Sequence, residues 1–319
     1  MRILVVGAGA VGGLFGGLMA EHGRDVTFLV RAPRAAALAA DGLQLVGISG
    51  GPQDQVRAVP VAVVTADQLS EAGPFDIVLL AVKAYDLESA IEAIAPAVDA
   101  GAAVLPLLNG MRHIDRLTAR FGAENVLGGF AFVSAYLDEQ GRIGAGPVPA
   151  ALTYGELDGS STDRVRRFHE QADGCGFRVT LSTAVRDEMW AKWVFLAAFA
   201  ALTILSGGSV GETARAPGGP RTARALLAET ASVAQAAGHR PSPEKVAGDL
   251  AVLTATDSQN RASMDKDRLA GRPVESSAII DDLVERADAA GLDVPLLRAT
   301  QAALGVYVTR LADAAAAAG

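Results

Sequence analysis

The chain has 319 residues, 50% of them hydrophobic, and a formal net charge of -8 from 28 lysines and arginines against 36 aspartates and glutamates. That is enough apolar material for two cored domains of about 150 residues each, and an acidic chain with no basic stripe interleaved with aromatics has no electrostatic footprint for nucleic acid. The single cysteine, Cys175, excludes an intrachain disulfide framework and a cysteine-built zinc site and agrees with a reducing cytoplasm, and His22, His113, His169 and His239 show no ligand spacing, so no metal is expected.

The N-terminal stretch from Ile3 to Ala20 carries no charge after Arg2 and has the look of a secretory signal. Its glycines argue for a strand, a turn and a helix instead. "RILVVGAGAVGGLFGGLMAEHG" opens with a β-branched run, Ile3 to Val6, continues with Gly7, Gly9 and Gly12 in a G-x-G-x-x-G pattern, and reads as a helix ending at Gly23. In a dinucleotide site Gly7 permits the tight turn, Gly9 lets the backbone approach a pyrophosphate, and Gly12 lets helix and strand pack closely, with the helix N-terminus attracting the phosphates.

The next strand, Val26 to Val30, ends at Arg31, where NAD sites usually carry an acid for the ribose hydroxyls. A guanidinium can grip a 2′-phosphate with a fork of donors, and Arg34 is close by, so NADP(H) is the favoured cofactor. Read blandly, Arg31 and Arg34 are solvated loop charges.

Strands at Ile77 to Val82 and Val104 to Leu108, with a helix over Leu87 to Val98 between them, give βαβ units and a mostly parallel, doubly wound, Rossmann-like α/β sheet. Lys83 and the pair Asn109 and Gly110 follow the carboxyl ends of two of these strands, where a nicotinamide or substrate binds; each is also an ordinary strand-end or turn residue. From Asn125 to about Leu181 the short strands in "LGGFAFVSAYL", "ALTYGE" and "FRVTL", with a helix over Asp163 to Asp173, are expected to complete the sheet by antiparallel pairing.

After about Ser182 the chain reads as helices: Arg186 to Leu205, Thr222 to Ala237, Pro243 to Asp257, Ser276 to Ala290 and Pro295 to Leu311, then an alanine-rich end expected to fray. Two domains follow, 1–182 binding the dinucleotide and 183–319 forming an all-helical substrate domain, with the cleft between them as the default active site. "MWAKWVFLAAFAALTIL" puts Lys192 at the edge of an apolar run too short to span a bilayer, which needs about 20 apolar residues. A lysine there either snorkels to water or has a chemical role.

In order along almost the whole chain, Gly7, Gly9 and Gly12, Arg31, "VKAYD" with Lys83, "NGM" from Asn109, "RDEMWAKW" with Lys192, "SQNRASMDKD" with Asn260 and Ser263, and "GRPVES" with Glu275 resemble the ketopantoate reductase (2-dehydropantoate 2-reductase) family. The resemblance implies NADPH-dependent reduction of a 2-oxo acid, ketopantoate to pantoate in pantothenate biosynthesis, in the cytoplasm. It implies Lys192 as the general acid that protonates the alkoxide. Glu275 would bind the substrate hydroxyl and help fix the lysine, Ser263 would hold the carboxylate, Asn260 would assist, and Asn109 and Lys83 would lie near the nicotinamide. Asn260 and Ser263, three apart on a predicted helix, would share a face.

Several positions depart from the family pattern. Leu196 and Ala200, four and eight beyond the lysine, stand where asparagines are usual; Ser277 and Ile280 replace an aspartate and an asparagine; Arg112 and His113 are bulkier and more polar than is usual after the Asn-Gly-Met motif. A less polar 2-oxo acid or ketone would tolerate the loss of those amides better. A non-catalytic NADP(H)-binding module and another two-domain dehydrogenase of the hydroxyacid or opine type remain alternatives. The expected partner is a small-molecule 2-oxo acid, with no nucleic acid and no membrane; a helical domain can pair with its own copy, so monomer and homodimer both stay open.

Overall fold

The computed structural model describes residues 1–48, 55–146 and 148–318. The chain divides into two compact units, one made of Met1–Leu108 and His113–Arg186, the other of Asn109–Arg112 and Asp187–Gly319. A single cut at 182/183 differs from this by a few residues at the boundary and by the excursion of Asn109–Arg112 into the second unit.

The strands of the first unit are β1 (Arg2–Val6), β2 (Asp25–Leu29), β3 (Leu43–Val46), β4 (Val56–Val59), β5 (Ala62–Val64), β6 (Ile77–Leu80), β7 (Ala103–Pro106), β8 (Leu127–Phe132), β9 (Ala135–Leu137), β10 (Ile143–Ala145), β11 (Ala151–Glu156) and β12 (Arg178–Leu181). Its helices are α1 (Ala10–Glu21), α2 (Ala32–Asp41), α3 (Leu87–Asp99), α4 (Arg112–Phe121, whose first residue counts with the second unit) and α5 (Asp163–Ala172). Five parallel strands form the main sheet in the order β5-β2-β1-β6-β7. The order reverses between β1 and β6, the switch point at which ligands bind in doubly wound sheets.

Residues 125–181 do not complete that sheet. β8, β11 and β12 form a sheet of their own, with β8 antiparallel and β12 parallel to β11, and it adjoins the main sheet through an isolated bridge from Val104 to Val126. Pro106, which ends β7, has no N–H to donate to a further strand. β9 and β10 pair antiparallel and join β3 and β4 in a third sheet.

Helix α1 lies between two of these sheets, and this accounts for glycines that cost it about 1 kcal/mol each relative to alanine. A Cβ on Gly16 would stand 2.7 Å from the Phe28 ring and 2.9 Å from Val5 of the main sheet, whereas one on Gly13 or Gly17 would meet Ile143 or Leu43 of the β3–β10 sheet. The helix is narrow on both faces, so both sheets can close on it.

The second unit contains α6 (Val185–Ser206, from Asp187 onward), α7 (Val210–Arg215), α8 (Gly219–Ala236), α9 (Pro243–Leu253), α10 (Ser263–Leu269), α11 (Asp282–Ala289) and α12 (Pro295–Ala318). At 22 residues α6 is long and apolar enough to cross a bilayer, so length alone does not exclude that; 61% of its most apolar window is buried inside the protein, as in a core helix. The carboxylate of Glu229 accepts from the N–H groups of Leu296 and Leu297 at 3.1 and 2.9 Å and caps α12. That helix runs through the alanines expected to fray. The predicted helix from Ser276 opens with a π-helical stretch, Ser277–Asp281, before α11.

A Cβ on Gly12 would lie 2.2 Å from the carbonyl oxygen of Gly7, backbone that cannot swing aside, whereas one on Gly9 meets nothing within 4 Å among the described residues. Gly12→Ala is expected to destabilise the protein by about 1–3 kcal/mol and Gly9→Ala by less than about 0.5 kcal/mol. Denaturant unfolding of the two variants checks this, and equal losses would contradict the packing role of Gly12.

Candidate active site

The nucleotide-binding candidates of the first unit gather at the carboxyl ends of β2, β1 and β6. Gly7, in the turn after β1, has φ +96°, a conformation that glycine alone adopts without strain. It lies against the backbone of Ala81 just after β6, its built Cβ 3.1 Å from that carbonyl oxygen. Gly9 is the N-cap of α1, with no side-chain cap, and the first turn of the helix holds no acidic residue. Among the described residues the space at Gly9, beside the N–H groups of an uncapped helix, is open and fits a pyrophosphate. Lys83, exposed, opens the short turn after β6.

Arg31 is the N-cap of α2 at the end of β2, with its side chain 80% exposed and Nη2 donating to Oδ1 of Asp86 at 2.7 Å. Arg34 instead donates to the carbonyls of Ala8 and Gly141 at 3.5 and 3.4 Å.

The second unit brings together residues far apart in sequence. Lys192, on α6, donates from Nζ to Oδ1 of Asn109 at 3.1 Å across 83 residues of sequence. Burial pushes its pKa down to about 8, with the Glu275 carboxylate pulling in the opposite direction. Glu275 is itself buried, 9% exposed.

The segment that carries Asn109 is seated by its neighbours. Gly110 has φ +80°, and a Cβ there would stand 2.1 Å from the carbonyl oxygen of Ala278 in the π-helical stretch. Trp193, next to the lysine and 1% exposed, donates its indole N–H to the carbonyl of Ile279 at 3.0 Å. A π turn shifts the register of backbone bonding, and here a side-chain donor and a close-packed glycine meet two of its carbonyls. Arg112 then pairs with Glu285 at 2.5 Å and with Asp282 at 3.7 Å. In the sequence Arg112 stands out only as a departure; its anchoring role depends on partners more than 160 residues away.

Asn260 and Ser263 do not share a helical face. Helix α10 begins at Ser263, and Asn260 lies in the irregular segment before it, where its carbonyl accepts from the N–H of Val210 at 3.0 Å. Both residues are exposed. The helical pattern gives way there because the carbonyls of Ser258 and Asn260 accept from the N–H groups of Gly211 and Val210 rather than from within a helix, and Arg261, paired with buried Asp265, donates to the carbonyl of Gly207. These bonds hold the segment against the start of α7. Of the departures, Leu196 is half-buried, Ala200 is fully buried, Ser277 is exposed, and Ile280, with 0% exposure, is core.

Residues 3–159 match the family model described as Ketopantoate reductase PanE/ApbA, and residues 184–307 match its C-terminal counterpart. The oxidoreductase YkpB of Bacillus subtilis (strain 168) is 33% identical over 96% of this chain and 99% of its own. The 2-dehydropantoate 2-reductase of Archaeoglobus fulgidus is 30% identical, covering 93% of this chain and 94% of its own. The crystal structure of a PanE/ApbA family ketopantoate reductase from Ralstonia eutropha JMP134 superposes with a TM-score of 0.84 at 27% identity, covering 98% of this chain and 99% of that one.

With a folded-state pKa of about 8 against the ordinary 10.5, the penalty for burying charged Lys192 is present in full below pH 8 and fades as the pH rises toward 10.5. The difference in melting temperature between Lys192→Met and the wild type is therefore expected to move in the wild type's favour between pH 7 and pH 10. A difference that stays flat with pH would show that the ammonium carries no such penalty.

Proposed function

The chain belongs to the ketopantoate reductase family, and from that premise we propose that it reduces a 2-oxo acid to the 2-hydroxy acid with NADPH. The observation that carries the reading is the Lys192 ammonium, partly buried, held on Asn109 and facing the charge of Glu275.

A reduced nicotinamide dinucleotide, when bound, would supply the hydride to the ketone carbon. Lys192 stabilises the negative charge that develops on the ketone oxygen and then protonates it. A pKa of about 8 suits a general acid, because the group is still mostly charged near neutral pH yet gives up its proton more readily than an exposed lysine. Asn109 accepts one N–H of the ammonium and fixes its direction. Glu275 keeps the ammonium charged against the cost of burial and binds a substrate hydroxyl, while Ser263 holds the substrate carboxylate with Asn260 assisting. In the first unit the open backbone at Gly9 and the start of α1 would hold the pyrophosphate, with Gly7 and Gly12 shaping the turn, Lys83 would serve the nicotinamide end, and Arg31 would take the 2′-phosphate at the strand end where NAD sites carry an acid.

Ketopantoate is the substrate that the family name carries, and its reduction is a step toward pantothenate. A specific observation favours a less polar 2-oxo acid. Leu196 and Ala200 follow Lys192 at four-residue spacing on its own helical face, and Phe199 lies between them on that face, half-buried and stacked on Phe195 at 5.8 Å. Leu196 and Phe199, the half-buried members of that face, offer no side-chain hydrogen bonds to a hydroxylated substrate, and Ala200 is fully buried.

NADPH oxidation with ketopantoate set beside branched, linear and aromatic 2-oxo acids tests the activity, and no turnover with any of them would refute it. Lys192→Ala is expected to lower kcat by about 100- to 10,000-fold with the fold intact, and wild-type kcat to fall as the pH rises through about 8 and the acid loses its proton. A mild kcat effect would remove the lysine from the chemistry. Arg31→Ala is expected to raise the Kd of NADPH much more than that of NADH; an equal loss of both would undo the 2′-phosphate assignment.

A further inference from the structure

The ion pair between Arg31 and Asp86 ties the end of β2 to the turn after β6, and these two strands flank β1 and its glycine turn in the sheet. Asp86 is the N-cap of α3, a position where an aspartate normally folds back onto the helix N–H groups; its carboxylate makes no such bond. The backbone of the turn is held without the carboxylate, since the Asp86 N–H donates to the Lys83 carbonyl at 2.9 Å and Ser89 Oγ donates to the Asp86 carbonyl at 2.9 Å. The carboxylate is directed instead at Arg31, 2.7 Å away, while Arg34 is engaged by the backbone of Ala8 and Gly141.

We propose that Asp86 is a positioning residue for cofactor choice: by holding Arg31 in an ion pair, it competes with the 2′-phosphate of NADPH and narrows the preference for NADPH over NADH. The inference rests on the reading of Arg31 as the 2′-phosphate group's partner. A guanidinium offers five N–H donors, so the pair leaves room for a phosphate. The phosphate, however, meets a guanidinium already partly neutralised, with a negative charge beside it. NADH presents a neutral 2′-hydroxyl at the same place and does not contend with Asp86 in this way. The pair is exposed, with Arg31 at 80% and Asp86 at 36%, so its effect belongs to the modest range of surface ion pairs rather than to that of a buried switch.

The test is a fluorescence titration of the full chain with NADPH and with NADH, at low ionic strength, for the wild type, Asp86→Asn, Arg31→Ala and the double variant. Asparagine is isosteric with aspartate and the turn is held by backbone bonds, so Asp86→Asn removes the charge and keeps the turn. Asp86→Asn is expected to lower the Kd of NADPH about fivefold, the scale of an exposed ion pair, and to leave that of NADH within about twofold, with the gain much reduced when Arg31 is already alanine. An unchanged or raised Kd for NADPH overturns the proposal, as does a shift of both cofactors together, which is the signature of a merely structural role. Selective loss of NADPH in Arg31→Ala beside a flat Asp86→Asn overturns the role of Asp86 alone. Equal loss of both cofactors in Arg31→Ala overturns the 2′-phosphate reading and this proposal with it.

Discussion

The hydrogen bond from Lys192 to Asn109 is the contact on which the candidate chemistry depends, because it fixes an ammonium group that burial disfavours. It exists because four residues, Asn109–Arg112, leave the first unit and pack into the second. Gly110 makes the approach possible, since any side chain there would collide with the Ala278 carbonyl. Arg112 secures the far end of the segment on Glu285 and Asp282. The π-helical stretch then acquires a purpose: it presents the carbonyls of Ala278 and Ile279 to Gly110 and to the Trp193 indole. Lysine, tryptophan, glycine and asparagine are thus parts of one packing solution.

A comparable economy governs the nucleotide side. The parallel strands β2, β1 and β6 end side by side, and among the residues following them Arg31, the glycines Gly7, Gly9 and Gly12, and Lys83 are of three chemical kinds: a fork of donors, bare backbone and a point charge. The glycines differ in their reasons for being there. Gly7 serves a backbone conformation, Gly12 a close approach, and Gly9 leaves space open. The remaining glycines of α1 serve the fold instead, since Gly13, Gly16 and Gly17 let two sheets close on one helix.

The candidate lysine–carboxylate pair and the rest of its helical face respond to different constraints. Lys192 and Glu275 balance one another, burial lowering the lysine pKa and the carboxylate supporting the charge. Leu196 and Ala200 belong to the same helix, yet nothing in that balance requires them to be polar. The lysine and its carboxylate can therefore persist while the adjoining positions on the helix change, which leaves a family's reaction and its specificity free to vary separately.

Much of this was legible in the sequence because its signals are local. Strand, glycine turn and helix in succession, the helical second half, a guanidinium at the end of β2 and an out-of-place lysine all follow from spacing and residue type within a few turns of chain. The tertiary structure alone decided the rest: that the short strands after Asn125 build separate sheets, that Asn260 falls outside α10, that α6 is buried although long enough to span a bilayer, and that Asp86 claims Arg31. Periodicity tells a segment which face to bury but not which partner will cover it. Contacts such as that of Lys192 with Asn109, 83 residues apart, are set by packing across the fold, which no local pattern encodes.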